Sequence, residues 1–169
     1  DCFYVERKLR ERMNIPVFHD DQHGTAIVVG AAILGGLKVA GKRLEDVKIV
    51  ASGAGAAALA CLGLLMKLGA QRTNIWVTDL AGVVYEGRTE LMDEDKQQYA
   101  QPTDLRHLSQ VIADADVFLG LSAGGVLKKD MVRTMGPRPL IFALANPNPE
   151  IAPEDVKAVR DDAIIATGR

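Results

Sequence analysis

Two adjacent aspartates, Asp20 and Asp21, lie in the run FHDDQHGTA just before a long apolar segment. One interpretation is structural, because carboxylates at the start of a helix are stabilised by the positive end of its dipole. The other is chemical: one carboxylate could bind a hard divalent cation through oxygen while its neighbour tunes a proton-transfer group. Residue chemistry by itself favours the structural interpretation and leaves the chemical one open.

Two histidines, His19 and His23, flank the aspartate pair. A zinc site would need further nitrogen or sulfur ligands. His107 is the one other histidine, and the cysteines Cys2 and Cys61 form no cluster with these residues in the sequence. Zinc is therefore disfavoured.

A glycine-containing turn of the form G-x-G-x-x-A lies between a predicted strand and a predicted helix, which is the context that a dinucleotide-binding turn requires. Gly53 permits a tight turn, Gly55 lets the backbone approach a pyrophosphate, and Ala58 allows close packing of the helix on the strand. The turn consists of Gly53, Ala54, Gly55, Ala56, Ala57 and Ala58. Free N–H groups at the helix start would then bind the pyrophosphate of a dinucleotide.

Asp79 ends the second predicted strand, about 20 residues after the glycine turn, where a carboxylate accepts hydrogen bonds from an adenosine ribose. The alternative is a strand-end turn residue. The residues that follow it, Leu80 to Gly82, are not cationic. A 2′-phosphate is disfavoured beside an unpaired carboxylate, so NAD is favoured over NADP unless Arg88 folds back toward Asp79.

Two further segments follow predicted strands, namely Ser122 to Gly125 and Asn146 to Glu150. Asn146-Pro147-Asn148-Pro149 taken alone is typical of a turn-rich loop. Ligands of parallel sheets lie beyond the carboxyl ends of the strands, however, so the position of this loop favours a functional role.

The predicted elements alternate between strand and helix. This order predicts an α/β fold, a Rossmann-like doubly wound and mostly parallel sheet with helices on both faces. Strands are predicted at 47–51, 75–78, 117–119, 140–145 and 163–166; helices at 2–13, 25–40, 57–68, 93–101, 104–113 and 153–160; and a hairpin-like excursion at 83–85. We expect residues 1–22 to form a linker helix with the aspartate segment, and residues 23–169 to form a dinucleotide-binding domain.

Two predicted helices, 25–40 and 57–68, are apolar on nearly every face, so we expect burial on most sides. This predicts surface that a neighbouring domain or subunit covers, hence a homo-oligomer. The stretch from Ala26 to Leu37 is too short to span a bilayer. A net charge of −2 disfavours nucleic acid and anionic membranes as partners. Cys61 in an apolar run indicates a free thiol in a reducing, cytoplasmic compartment.

The motifs together strongly resemble malic enzymes of the bacterial type: FHDDQHGTA, an apolar helix, GKRL, a strand and GAGAAA, followed by VFLGLSAGGVL, ALANPNPE and ATGR. The resemblance implies that Asp21 is a ligand of Mg²⁺ or Mn²⁺. It implies that Asp20 lies beside a catalytic lysine and helps to set its protonation. Gly53 to Ala58 would hold the cofactor pyrophosphate and Asp79 its ribose.

The resemblance also assigns the two later loops. Ser122, Ala123 and Gly124 would line the path to the nicotinamide, and Asn146 would contact both cofactor and substrate. The implied reaction is oxidative decarboxylation of L-malate to pyruvate and CO₂ with NAD, NADP being possible.

In the family, the tyrosine acid, the lysine base and a Glu-Asp pair of metal ligands would precede Asp1, and an asparagine-rich substrate loop would follow Arg169. The resemblance thus implies a piece of a longer chain that supplies an N-terminal catalytic segment. Two other interpretations are a cofactor domain of another two-domain dehydrogenase, acting on amino acids, and a non-catalytic NAD-binding module.

Overall fold

The computed structural model describes residues 2–168. Helices and strands alternate along most of this range, as the sequence predicts. The helices are α1 (Cys2–Arg12), α2 (Asp20–Ala40), α3 (Ala56–Lys67), α4 (Glu94–Gln97), α5 (Leu108–Val111), α6 (Lys129–Thr134) and α7 (Pro153–Lys157). The strands are β1 (Ile49–Ser52), β2 (Ile75–Asp79), β3 (Gly82–Val83), β4 (Val117–Gly120), β5 (Leu140–Ala143) and β6 (Ile164–Thr167).

The strands form one sheet in the order β3-β2-β1-β4-β5-β6. All neighbouring strands are parallel except β3, which turns back antiparallel to β2 and forms the hairpin expected near residue 83. Ser52 at the end of β1 pairs with Thr78 and Gly120 of its two neighbours. The parallel strands therefore end at a common edge of the sheet, and the predicted fold class is confirmed.

The two faces of the sheet have separate apolar cores, which explains why the central strands are apolar at every position. Val50, Phe118 and Ile141 pack in one cluster with side chains of the short helices α5, α6 and α7. Their neighbours in the same strands point to the other face and pack with α2 and α3. Full burial of each large aliphatic side chain stabilises the fold by about 1.5–3 kcal/mol.

Helices α2 and α3 approach closely because α2 carries glycine where they meet. A Cβ at Gly30 would lie 3.1 Å from Leu64 Cδ2 of α3, and a Cβ at Gly36 would lie 2.7 Å from Leu140 Cδ2 of β5. Glycine at these two positions therefore lets α2 approach α3 and β5, whereas a Cβ at Gly35 would meet nothing within 4 Å.

The expectation that α2 is buried on most sides is wrong. Ile33 is fully buried, whereas Ile27, Val28 and Val39 are 58–69% exposed. The helix thus buries one face against α3 and the sheet and leaves an apolar face open. The helix has 21 residues and is longer than expected. Its length and apolar composition would be sufficient to cross a membrane, but core helices of globular domains meet the same two criteria.

Helix boundaries differ most from the sequence prediction near charged segments. Helix α2 begins at Asp20 rather than near Thr25, since its first turn accommodates both aspartates at the positive end of the dipole. The predicted helix 104–113 shrinks to α5, because Gln110 Oε1 accepts the N–H groups of Arg106 and His107 and fixes the start there. The predicted helix 93–101 likewise shrinks to α4, which Asp93 caps.

Candidate functional site

The glycine turn joins β1 to α3 with a backbone that only glycine adopts easily. Gly53 has a φ of +108°, and a Cβ there would lie 2.8 Å from the Leu121 carbonyl carbon. Gly55 caps the start of α3 without a side-chain hydrogen bond, and a Cβ at this residue would meet open space. The turn therefore exposes the unpaired N–H groups at the start of α3 to a ligand-sized opening, as anion binding requires.

Ala58 completes the turn and is 1% exposed. Its small side chain lets the first turn of α3 lie against the sheet, which is the packing role that the sequence predicted. Ala54 and Gly55 line a cavity of ≈ 460 Å³ next to Asp79, whereas Ala57 faces a different crevice. The turn thus borders two openings at the same sheet edge.

The Asp79 carboxylate is paired, although no cationic residue directly follows it in the sequence. Arg88 Nη2 donates to Asp79 Oδ2, and Lys96 Nζ lies 2.9 Å from the same oxygen. The Ala81 N–H donates to Oδ1 at 2.9 Å. Burial raises the pKa of the Asp79 carboxyl, but the hydrogen bonds from Arg88, Lys96 and Ala81 outweigh burial and hold this pKa below its ordinary value.

Arg88 is a buried structural cation, with a side chain only 2% exposed. It also donates to the carbonyl groups of Gly82, Val83 and Glu90. These bonds use its guanidinium to hold the excursion after β2. Lys96 is different, because its ammonium binds Asp79 and the Leu91 carbonyl at the wall of the cavity that Gly55 also lines.

The structure brings the aspartate pair and the Asn146 loop together. A crevice of ≈ 650 Å³ lies between the start of α2 and the carboxyl ends of β5 and β6. Its polar lining includes Asp20, Asp21, Thr25 and Asn146, and Ala57 of the glycine turn forms part of its wall. Residues from sequence positions more than a hundred apart therefore share one opening beyond the carboxyl ends of the strands.

The two aspartates differ in their surroundings. Both are exposed in the first turn of α2, and the N-cap residue His19 makes no capping hydrogen bond with its side chain. The Asp20 carboxylate lies against Gly24, where any side chain would collide with it. Across residues 2–168, no group of three or more histidine, cysteine or acidic side chains is arranged to hold a metal ion.

The histidines beside the pair face α1. His23 Nε2 lies 2.5 Å from Glu6 Oε1, and Arg10 Nη2 lies 2.9 Å from the same oxygen. His23 also packs against the Phe18 ring. These contacts dock α1 on α2, which accounts for His23 without a metal.

Ser122 and Ala123 lie exposed in the loop after β4 and do not line the Asp21 crevice, which Leu121 borders instead. Ser122 Oγ is 2.9 Å from Ser52 Oγ, and its N–H donates to Glu150 Oε1 at 2.9 Å. Asn146 is exposed and precedes a cis peptide bond to Pro147. The structure thus ties the β4 loop to the end of β1 and to Glu150, and Leu121 just before this loop borders the crevice.

Sequence reasoning missed three polar residues at the site: Thr25 in the crevice, Lys96 beside Asp79, and the carboxylate of Glu150 beneath the loops. The Asp93 cap could have indicated that α4 begins beside Lys96, but no local pattern places this helix near Asp79. Glu150 was included in a loop of interest, but its burial had no local signal.

Comparison with known proteins identifies the family of this chain. The family model described as "Malic enzyme, NAD binding domain" matches residues 22–169. The chain belongs to the malic enzyme family. This match decides between the two enzyme interpretations, because a dehydrogenase of the amino-acid type would belong elsewhere. The expected family resemblance is therefore confirmed.

Relatives within the family carry both cofactor names. The chain is 64% identical over 169 residues to the NAD-dependent malic enzyme of Rhizobium meliloti (strain 1021), covering 100% of this chain and 22% of that relative. It is 60% identical over 170 residues to the NADP-dependent malic enzyme of Haemophilus influenzae (strain KW20 / Rd), with the same coverage. The chain thus spans about a fifth of these malic enzymes.

The fold agrees with a solved malic enzyme. The crystal structure of the Entamoeba histolytica malic enzyme matches with a TM-score of 0.92 and 35% identity, covering 99% of this chain and 36% of that one. A Rossmann-like sheet with the malic enzyme strand arrangement is therefore present in this chain.

Proposed function

We propose that this chain is the cofactor-binding part of a longer malic enzyme, which converts L-malate and NAD(P)⁺ to pyruvate, CO₂ and NAD(P)H. Residues 1–22 form its linker and metal-site segment, and residues 23–169 its cofactor domain, a division that falls within the first turn of α2. The observation that carries the proposal is the shared crevice of Asp20, Asp21 and Asn146, bounded by Ala57 of the glycine turn.

The cofactor lies along the carboxyl edge of the sheet in this proposal. Its pyrophosphate binds the N–H groups at the start of α3, over Gly53 to Ala58, and its adenosine ribose binds Asp79. Cavities on both sides of Asp79, of ≈ 460 and ≈ 490 Å³, give the adenosine room. The nicotinamide then lies past Ser122, Ala123 and Gly124 toward Asn146.

Lys96 and Arg88 support acceptance of NADP as well as NAD. Two cations surround one carboxylate, so the local charge beside the ribose is positive rather than negative. An ammonium has three donors, and two of those on Lys96 bind Asp79 and the Leu91 carbonyl. The third is available to an oxygen of a 2′-phosphate. Arg88 already uses four of its five N–H donors on Asp79 and backbone carbonyl groups, and its side chain is only 2% exposed.

Mg²⁺ or Mn²⁺ would bind at Asp21. The exposed carboxylate is an oxygen donor of the kind that these cations prefer, but one carboxylate does not complete a six-oxygen shell. The remaining ligands come from malate and from parts of the enzyme outside this chain. When bound, the cation would polarise the ketone and stabilise the negative charge that develops on its oxygen as CO₂ departs.

The residues of this chain orient the reactants, whereas the proton-transfer groups belong to the N-terminal catalytic segment. Asn146 binds malate and the nicotinamide end through its amide, so the hydride-donating carbon faces the ring. Asp20 lies next to the position of a lysine base from the N-terminal catalytic segment, and its charge helps to set the protonation of that lysine. Closure of the crevice by that segment would exclude water from the reacting carbon.

The exposed apolar face of α2 supports assembly of the proposed enzyme. Ile27, Val28 and Val39 lie exposed on one helix, and a surface of this kind is usually covered in a larger assembly. We infer that the complete enzyme is a cytoplasmic homo-oligomer, in which a second subunit or the rest of the same chain covers this face.

Turnover by the complete enzyme tests the proposal. We expect pyruvate formation from L-malate that requires Mg²⁺ or Mn²⁺, and no oxidation of L-glutamate. Asn146→Ala should raise the KM for malate at least about tenfold. The control Asn74→Ala, at the opposite, amino end of the strands, should leave the KM for malate unchanged. Binding of NAD without turnover of malate would support the non-catalytic module instead.

A further inference from the structure

Glu150 is a completely buried carboxylate at the cofactor edge of the sheet, with 0% of its surface exposed. Its Oε1 accepts the Ser122 N–H at 2.9 Å and the Ser122 hydroxyl at 3.3 Å. Its Oε2 accepts the Ala145 N–H at 3.0 Å. One side chain therefore joins the loop after β4 to the loop after β5.

The fold makes room for this carboxylate. A Cβ at Gly120, the last residue of β4, would lie 2.7 Å from both Glu150 oxygens. The hydrogen-bond chain continues from Glu150 through Ser122 Oγ to Ser52 Oγ at the end of β1. The ends of three neighbouring strands are thus tied to one buried anion.

Glu150 has no cationic partner among the ion pairs of residues 2–168. Its three donors are neutral backbone and hydroxyl groups, which is the pattern that an ionised carboxylate accepts. A buried charge without a counter-ion is costly. Glutamine has the same shape without the charge: its amide oxygen can still accept the two Ser122 donors, and only its NH₂ group would face the Ala145 N–H.

We propose that Glu150 is a positioning residue that fixes the two loops at the nicotinamide end and whose charge favours the oxidised over the reduced cofactor. The inference rests on the proposed function, which places the nicotinamide between Ser122 and Asn146. The oxidised ring carries a positive charge, and the reduced ring is neutral after it accepts hydride. A buried negative charge nearby stabilises the oxidised ring selectively, since water screens it little.

The ratio of dissociation constants for NAD⁺ and NADH tests the charge. Both are measured by calorimetry on the complete enzyme without malate or metal, for wild type, Glu150→Gln and Glu154→Gln, the last an exposed carboxylate on α7. Glu150→Gln should raise the Kd for NAD⁺ about tenfold and that for NADH less than about threefold. Glu154→Gln should leave the ratio unchanged. An equal change for both redox forms, or none, overturns the proposal.

Glu150→Asp tests the positioning role and covers the case in which the glutamine variant does not fold. Aspartate keeps the charge but is too short to reach both loops. Both dissociation constants should therefore rise, by about three- to tenfold, while their ratio stays near that of wild type. Unchanged binding by Glu150→Asp would show that the loops do not depend on this side chain.

Failure of the proposed function and failure of the Glu150 proposal give different results in these measurements. A wild-type enzyme that binds neither NAD⁺ nor NADH contradicts the proposed function itself. A wild type that binds both, with variants that keep the wild-type ratio and affinities, contradicts only the role of Glu150.

Discussion

Lys96 Nζ lies 2.9 Å from Asp79 Oδ2, so the carboxylate that should bind the adenosine ribose already has a cation beside it. Lys96→Met should weaken NADP⁺ binding about tenfold or more, since a charge-assisted phosphate contact is lost. NAD⁺, which lacks the 2′-phosphate, should change by less than about threefold. Titration of both cofactors into the complete enzyme measures this, with the exposed Lys38→Met as the matched control. Equal weakening of both cofactors would show that Lys96 only supports the loop.

Two glycines of the same turn should respond differently to alanine. Gly53→Ala forces a side chain to a φ of +108° and against Leu121, so it should destabilise the domain by about 1–3 kcal/mol. Gly55→Ala meets open space and should leave the melting temperature within about 2 °C. It should nevertheless weaken NAD⁺ binding about tenfold, because its methyl group occupies the pyrophosphate approach. Thermal unfolding and calorimetry check both; normal binding by Gly55→Ala would remove the turn from the cofactor site.

Asp79 should make acid stability sensitive to its ion pairs. Its folded pKa lies below the unfolded value of about 3.9. The stabilisation is therefore fully present above about pH 4 and is lost as the pH falls through the folded pKa. Asp79→Asn should be less stable than wild type at pH 7 by about 1–3 kcal/mol.

Urea unfolding between pH 7 and pH 3 measures that difference, which should shrink below pH 4. The exposed Asp161→Asn serves as the control and should follow the wild-type profile. If the difference in unfolding free energy between wild type and Asp79→Asn stays constant down to pH 3, the carboxylate is not stabilised by Arg88 and Lys96.

The two cysteines should differ sharply in reactivity. Burial raises the pKa of the Cys61 thiol to about 12, and Cys61 is 1% exposed. Only the thiolate reacts with alkylating reagents, so at pH 8 the native protein should be modified at the half-buried Cys2 and spared at Cys61. Mass spectrometry of Cys2→Ser after iodoacetamide treatment should show no label until denaturant is added.

The sequence predicted the sheet and the glycine turn correctly because both depend on local patterns. Buried strands are apolar at every position, and a turn that needs φ > 0 next to a close backbone contact needs glycine. Gly53 could therefore be interpreted from its neighbours alone. The start of α2 was missed because Asp20 and Asp21 were expected to precede the helix, whereas the dipole accommodates them within its first turn.

The contacts of Asp79 and Glu150 could not be predicted in the same way. Arg88 and Lys96 reach Asp79 only after the excursion beyond β2 folds back, and no periodic pattern specifies that path. Glu150 meets Ser122, 28 residues earlier, because β4 and β5 lie side by side in the sheet. Both contacts depend on tertiary packing, which places charged residues where composition gives no indication.

The central claim is that Asp21 holds a divalent cation in the crevice that Asn146 and the glycine turn share. Binding of Mn²⁺ to the complete enzyme, followed by electron paramagnetic resonance in the presence of L-malate, tests it most directly. Asp21→Asn should raise the Mn²⁺ dissociation constant about tenfold or more, while the exposed Asp161→Asn should bind as wild type does. Wild-type Mn²⁺ affinity in Asp21→Asn would contradict the claim.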